Sequence, residues 1–171
     1  SDSYGIGELA TRRLIDDGCS RILCLRNNSR MRMPANKRTD AYHDVVEQAG
    51  LPALVREVEF VKSDDEKSAV VAKILDENPD IDGIFAGDDT MAAICLNVMK
   101  QRGLSAPDDI KVVGADGARR TMTFMPDLTT VRQDIDRIGE LAAQSIIALV
   151  NGEKPESNTK LPVELIEGKT A

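Results

Sequence analysis

In the stretch FAGDDTMAA, residues 85–93, two carboxylates stand side by side where an apolar run breaks off and a helical pattern begins. A carboxylate in such a place can accept hydrogen bonds from a ligand's hydroxyls or from the unpaired N–H groups of a helix start. Asp89, directly before TMAA, is positioned as the helix cap, and Asp88, one residue earlier, is freer to face a ligand. Asp116 closes a second apolar run, IKVVGAD, while Asn27 and Asn28 follow a third, RILCLR, and Phe60 ends VREVEF. Taken singly, an Asp after a strand is more often a cap or turn residue than a ligand.

Other chemistries fit the residues less well. His43 is the only histidine, it lies in the helical run KRTDAYHDVVEQAG, and no nucleophile elbow occurs, so it reads as a helix-surface residue. Any site needing two imidazoles is excluded, and zinc is disfavoured. Neither GxGxxG nor GxxxxGK[ST] is present, and the close glycines of SYGIGE do not follow a strand. An Asp-phosphorylated receiver would need its acidic pair after the first strand, whereas here the pair follows the third. Cys19, Cys24 and Cys95 are odd in number, lack a CxxC pair and fall in or beside apolar segments. They read as buried thiols in a reducing compartment. We therefore expect no catalytic residue, cofactor or metal.

The elements that must position these side chains are legible from periodicity. Apolar positions Ile6, Leu9, Ala10, Leu14 and Ile15 have helical spacing that stops at Gly18. RILCLR predicts a buried strand from Arg21, residues 38–48 a helix closed by Gly50, and residues 55–60 an alternating edge strand. Ser63 and Asp64 cap a helix that runs to about Glu77, before Pro79. Strands are expected at 82–87, 110–116 and 128–133, a helix from Thr90 to Arg102, a long helix from Ile135 to Val150 and a closing strand in LPVELIE. Alternation of strand and helix implies an α/β fold, a mainly parallel sheet with helices on both faces. Ligands of such sheets lie beyond the carboxyl ends of the strands, which is where the candidate residues fall.

The chain has 171 residues, 42% hydrophobic and 30% charged, so it can bury a core, although aromatics are only 3% and aliphatic residues must fill it. A formal charge of −7 argues against gripping a phosphate backbone. No run is long enough for a membrane span, and SDSYGIGE has neither a basic start nor an apolar core of a signal peptide, which points to the cytoplasm if the true N-terminus is here.

The motifs, in their order, resemble the effector-binding domain of the LacI/GalR family of bacterial transcription regulators. SDSYGIGELATRRLIDDGCSRI is similar to the opening of that domain's second lobe. KRTDAY resembles its Arg-x-x-Gly-aromatic signature, with Ala41 in place of Gly. DGIFAGDDTMA resembles its strand and Asn/Gly-Asp-x-Met-Ala helix start, and GLSAPDDIKVVGADG and MPDLTTVRQ resemble two further segments. LPVELIEGKT is similar to the closing strand, with Gly168 where the family usually has Arg. Six segments in order across the whole chain make the assignment specific.

The resemblance implies a type I periplasmic binding protein-like fold, with residues 1–133 as the second lobe, 134–152 as a helix returning to a first lobe, and 153–171 as the closing strand and tail. On this reading the first lobe and an N-terminal helix-turn-helix precede the chain, and the 135–150 helix exposes an apolar stripe or finds a substitute partner. The resemblance also implies a ligand set: Arg38 clamps the effector, Phe60 packs on it, and Asp88, Asp116, Asn28 and Gln133 present polar atoms. A guanidinium, carboxylates and an aromatic face suit a carbohydrate, and the extra charge of Asp88 disfavours an anionic one. A neutral sugar effector, operator DNA bound through the N-terminal domain, and a homodimer with Ala93 and Leu96 at its interface are the implied partners. A periplasmic sugar-binding protein is the alternative.

Overall fold

The structure is a computed structural model that describes residues 1–28, 36–59, 62–155 and 160–171. Six strands form one sheet: β1 (Ile22–Asn28), β2 (Leu54–Glu59), β3 (Gly83–Ala86), β4 (Lys111–Asp116), β5 (Thr129–Gln133) and β6 (Val163–Ile166). Their spatial order is β2-β1-β3-β4-β5-β6, parallel except for β6, which pairs antiparallel with β5. Six helices connect or flank them: α1 (Ser3–Asp16), α2 (Asn36–Gln48), α3 (Asp64–Glu77), α4 (Asp89–Gln101), α5 (Arg119–Phe124) and α6 (Ile135–Val150).

Burial on both faces explains why β1 reads as a continuous apolar run. Leu23 and Leu25 face a core shared with α3 and α4, whereas Ile22 and Cys24 face one shared with α1 and α2. Strand β2 lies at the sheet edge and alternates, burying Leu54 and Val58 on one face. Ser63 caps α3 in a reciprocal capping box with Glu66, as its position before an acidic turn predicts. The three cysteines are buried and unpaired, and His43 is exposed on α2.

Helix α2 is tied to the sheet through the aromatic of KRTDAY. The Tyr42 hydroxyl donates to the Ile22 carbonyl at 2.7 Å and accepts from the Leu54 N–H at 2.8 Å, bridging β1 and β2 under a fully buried ring. Burial pushes its phenol up to about 12. Tyr42→Phe would leave the Leu54 amide unpaired, at a cost of about 1–3 kcal/mol. At roughly 2–4 °C per kcal/mol for this size, a thermal melt is expected to show a clear drop with no change in secondary structure.

Helix α5 has no counterpart among the expected elements. It is one and a half turns long, buries no residue and has no side-chain cap, so it leaves neither a periodic stripe nor a capping signal in TMTF. Helix α6 has the expected bounds but buries nothing among the described residues. Ile146, Ile147, Leu149 and Val150 are 59–81% exposed. Gly168 packs against the entry to β5, where a Cβ would lie 2.4 Å from the Asp127 carbonyl oxygen, so the arginine usual at this place would not fit this backbone.

Candidate functional site

The strand order reverses at β1, with β2 on one side and β3 on the other, and such a switch point opens a crevice at the carboxyl ends. Around it the structure gathers Asn27 and Asn28 from β1, Arg38 from α2, Gly87 and Asp88 after β3, Asp116 from β4 and Gln133 from β5.

Asp116 is the centre of this group. Its Oδ1 accepts from Arg38 Nη2 at 2.6 Å and from Gln133 Nε2 at 2.5 Å, and no described residue donates to Oδ2. Its side chain is one-third exposed, so that second oxygen is available to a ligand hydroxyl. The residue has φ 97°, a conformation that non-glycine residues rarely hold, at a cost of about 1–3 kcal/mol. Gly117 follows at φ 57°, with Arg132 crowding its Cα. Arg38, itself nearly buried, also donates from Nη1 to the Gly87 carbonyl, so its guanidinium plane is fixed by two strand ends before any ligand arrives.

The two adjacent acids do not divide the work as expected. Asp88, not Asp89, is the helix cap: its backbone is extended (φ −153°, ψ 169°), and its Oδ1 accepts from the Met91 N–H at 2.8 Å. Its other oxygen accepts from Asn27 Nδ2. Asp89 is the first residue of α4, and helical geometry turns its carboxylate inward, leaving 3% of the residue exposed. There it accepts from the Thr130 hydroxyl at 2.6 Å, over Gly114, whose added Cβ would lie 2.6 Å from Asp89 Oδ1. Burial, with the nearby Asp116 charge adding to it, raises Asp89 to about 6 despite the opposing Thr130 bond. Asp88→Ala would remove the cap, at about 1 kcal/mol, whereas Asp88→Asn keeps an acceptor. Thermal unfolding is expected to fall by roughly 2–4 °C in the first and to hold near the wild-type value in the second.

Asn28, at the end of β1, is exposed beside the rim. Phe60 lies outside the described residues. Ala93 and Leu96 are half-buried on α4, with Leu96 packed on the core, while Ile94 and Val98 are inside it. Sequence reading underrated Asn27, whose partner is Asp88, and missed the burial of Asp89. The available signal was Gly114 within VVGAD, because glycine inside a strand marks a close approach. Among the described residues, no cluster of three His, Cys, Asp or Glu side chains could hold a metal ion. A groove of about 860 Å³ adjoins the site at Gly117 and Gln133 and runs between α5 and β6 toward Ile135.

Set beside known proteins, residues 11–171 match the periplasmic binding protein-like domain family. The chain is 32% identical to a sucrose operon repressor of Pediococcus pentosaceus, over 100% of this chain and 53% of the repressor. It is also 32% identical to a ribose operon repressor of Halalkalibacterium halodurans, over 95% of this chain and 48% of that one. It thus spans about half the length of these curated relatives. A crystal structure of a LacI-family transcriptional regulatory protein from Corynebacterium glutamicum superposes with a TM-score of 0.87 at 26% identity, covering 99% of this chain and 65% of that one. A complex of the transcriptional regulator CelR with cellobiose gives 0.86 at 28% identity, covering 99% and 52%.

Proposed function

We propose that this chain, which belongs to the LacI-family effector-binding domains of the periplasmic binding protein-like type, senses a small neutral sugar and passes its occupancy to operator DNA bound elsewhere in the complete protein. The observation that carries this reading is Asp116, at positive φ, with one carboxylate oxygen bound by Arg38 and Gln133 and the other left open at the switch point. A guanidinium edge and carboxylate oxygens complement the alternating donors and acceptors of vicinal hydroxyls. Two carboxylates, Asp88 and Asp116, against one guanidinium that is itself already paired disfavour a phosphorylated effector. Arg38, Asp116, Gln133, Asp88 and Asn28 line the proposed site, with Phe60 assigned to the sugar's C–H face.

Half of that cleft belongs, on this reading, to a first lobe. Residues 1–133 and 153–171 form the second lobe, and 134–152 return to the first. The exposed apolar residues of α6 support this division, because a helix that buries nothing here is suited to burial elsewhere. Operator binding by an N-terminal helix-turn-helix, a homodimer with Ala93 and Leu96 at its interface, and a cytoplasmic location complete the proposal. The names of the relatives favour regulation over the periplasmic transport alternative and over enzymatic activity.

Thermal shift of the complete protein tests the ligand class, since anything bound only by the folded state raises the melting temperature by mass action. Sucrose, ribose and cellobiose, the corresponding sugar phosphates and purines form the panel. A shift with a neutral sugar supports the reading, and shifts confined to phosphorylated ligands or purines refute it.

A further inference from the structure

Each of the two carboxylates assigned to the effector is gripped by a neutral side-chain amide. Gln133 Nε2 donates to Asp116 Oδ1 at 2.5 Å on one side of the rim, and Asn27 Nδ2 donates to Asp88 Oδ2 on the other. Gln133 is one of the proposed ligand residues; Asn27 is not. The second pairing is built by the backbone. Gly87 N donates to the Leu25 carbonyl at 2.8 Å, and a Cβ added at Gly87 would lie 3.1 Å from that oxygen and 3.3 Å from the Arg26 Cα. Glycine lets the chain leaving β3 press this closely on β1, which sets the residue after Gly87 beside the residue after Arg26. Leu23 and Leu25 face the core shared with α4, and the alternation of the strand puts Asn27 on that same face, over the start of the helix.

The partner fixes the orientation of the amide. Turned the other way, Asn27 would set its oxygen against a carboxylate oxygen, so the nitrogen faces Asp88. Asp88 Oδ1 is held by the Met91 N–H at 2.8 Å, and on that bond alone the carboxylate could still rock. Asn27 removes this freedom. Neither donor carries charge, so Asp88 keeps its acceptor strength, and each of its oxygens retains a lone pair for a ligand hydroxyl.

We propose that Asn27 is a positioning residue of the effector site, fixing the Asp88 carboxylate for a ligand hydroxyl as Gln133 fixes Asp116. The inference rests on the sugar-sensor reading for the role of Asp88 as a ligand acceptor. Loss of Asn27 leaves the α4 cap in place, because the Met91 bond does not depend on it. The charged groups nearest the pair have other partners: Arg26 reaches Glu57 on β2, Arg38 reaches the Gly87 carbonyl from α2, and Asp89 accepts from Thr130 on β5.

The test uses the complete protein, titrated calorimetrically with sucrose, ribose and cellobiose. Asn27→Ala is expected to weaken binding by about 3- to 10-fold, the size of one hydrogen bond. Asn27→Asp replaces the donor by a second carboxylate facing Asp88. Two carboxylates so placed cannot both stay ionised, and as pH falls they share a proton that bridges them again. Measured against wild type at the same pH, the deficit of Asn27→Asp is expected to be about tenfold or more at about pH 7.5 and about threefold or less at about pH 5. A loss of packing alone would give the same deficit at both. Wild-type affinity in Asn27→Ala, or a deficit in Asn27→Asp that does not shrink with acid, overturns the proposal.

Nitrogen-edited NMR supplies an arm that needs no ligand. One Asn27 side-chain amide proton, assigned by its loss in Asn27→Ala, is expected downfield and slow to exchange, and back in the ordinary range in Asp88→Ala. An amide signal that Asp88→Ala leaves unmoved overturns the proposal. Should none of the three sugars bind, the sugar reading fails, and the variants are read with the sugar phosphate or purine that does bind; the amide spectrum decides the Asn27–Asp88 pairing in either case.

Discussion

Arg38→Ala in the complete protein is expected to abolish the sugar-induced thermal shift and to weaken binding by about 30- to 1,000-fold, equivalent to roughly 2–4 kcal/mol. Three losses combine in that figure. The ligand loses a planar two-pronged donor, Asp116 loses the cation paired to it at 2.6 Å, and the Gly87 carbonyl loses its side-chain donor at the end of β3. The first would act in any site with an arginine. The other two follow from the near-complete burial of Arg38, which makes removal of one partner costlier than the pair's own attraction. Arg38→Lys is expected to recover little, because a single ammonium cannot reach Asp116 and Gly87 with the geometry of the fork. Arg12→Ala provides the contrast: its pair with Glu8 is part-exposed on both sides, and its loss is expected to change stability by less than about 0.5 kcal/mol. Calorimetry and melts on the three variants check this order.

Gly7→Ala is expected to have the largest effect on the fold. An added Cβ at Gly7 would lie 2.1 Å from the Arg38 carbonyl oxygen and 2.9 Å from the Arg38 Cα, so α1 and α2 touch backbone to backbone at the residue that holds the site. Neither backbone can yield as a flexible side chain would, so the two helices must part. Overpacking of this kind costs about 1–3 kcal/mol and more where backbone is displaced. A melting temperature about 10 °C lower is expected, at roughly 2–4 °C per kcal/mol. Any separation of α2 from α1 also moves Arg38, so weakened sugar binding should accompany the loss of stability. Gly139→Ala, on α6 with open space around its added Cβ, should leave both properties near wild type.

The parts of this architecture that the sequence reveals are those governed by local rules. Helix α6 keeps its expected bounds because apolar spacing, an Asp cap and the Asn-Gly exit are all local signals. Strand β1 declares itself through burial on both faces, and β2 through the alternation of an edge. Helix α5 leaves no such trace, since it packs on nothing. The candidate site was legible as a set of residues at strand ends, and the structure joins Arg38, Asp116 and Gln133 through hydrogen bonds separated by up to 78 positions in the chain. What the pattern FAGDDTMAA could not divide was the work of its two acids. A shift of one residue in the helix start decides which carboxylate caps and which is buried, and that choice depends on Gly114 and Thr130, which are distant in sequence.

Transmission of sugar occupancy at Asp116 to DNA would be read out by operator binding of the complete protein. Fluorescence anisotropy with DNA from upstream of its own gene, recorded with and without the sugar that raises the melting temperature, supplies the coupling. A change in DNA affinity of about 5- to 150-fold, the span of a coupling energy near 1–3 kcal/mol, is expected, together with its loss in Arg38→Ala while sugar-free DNA binding is retained. A DNA affinity that is the same with and without bound sugar would contradict it.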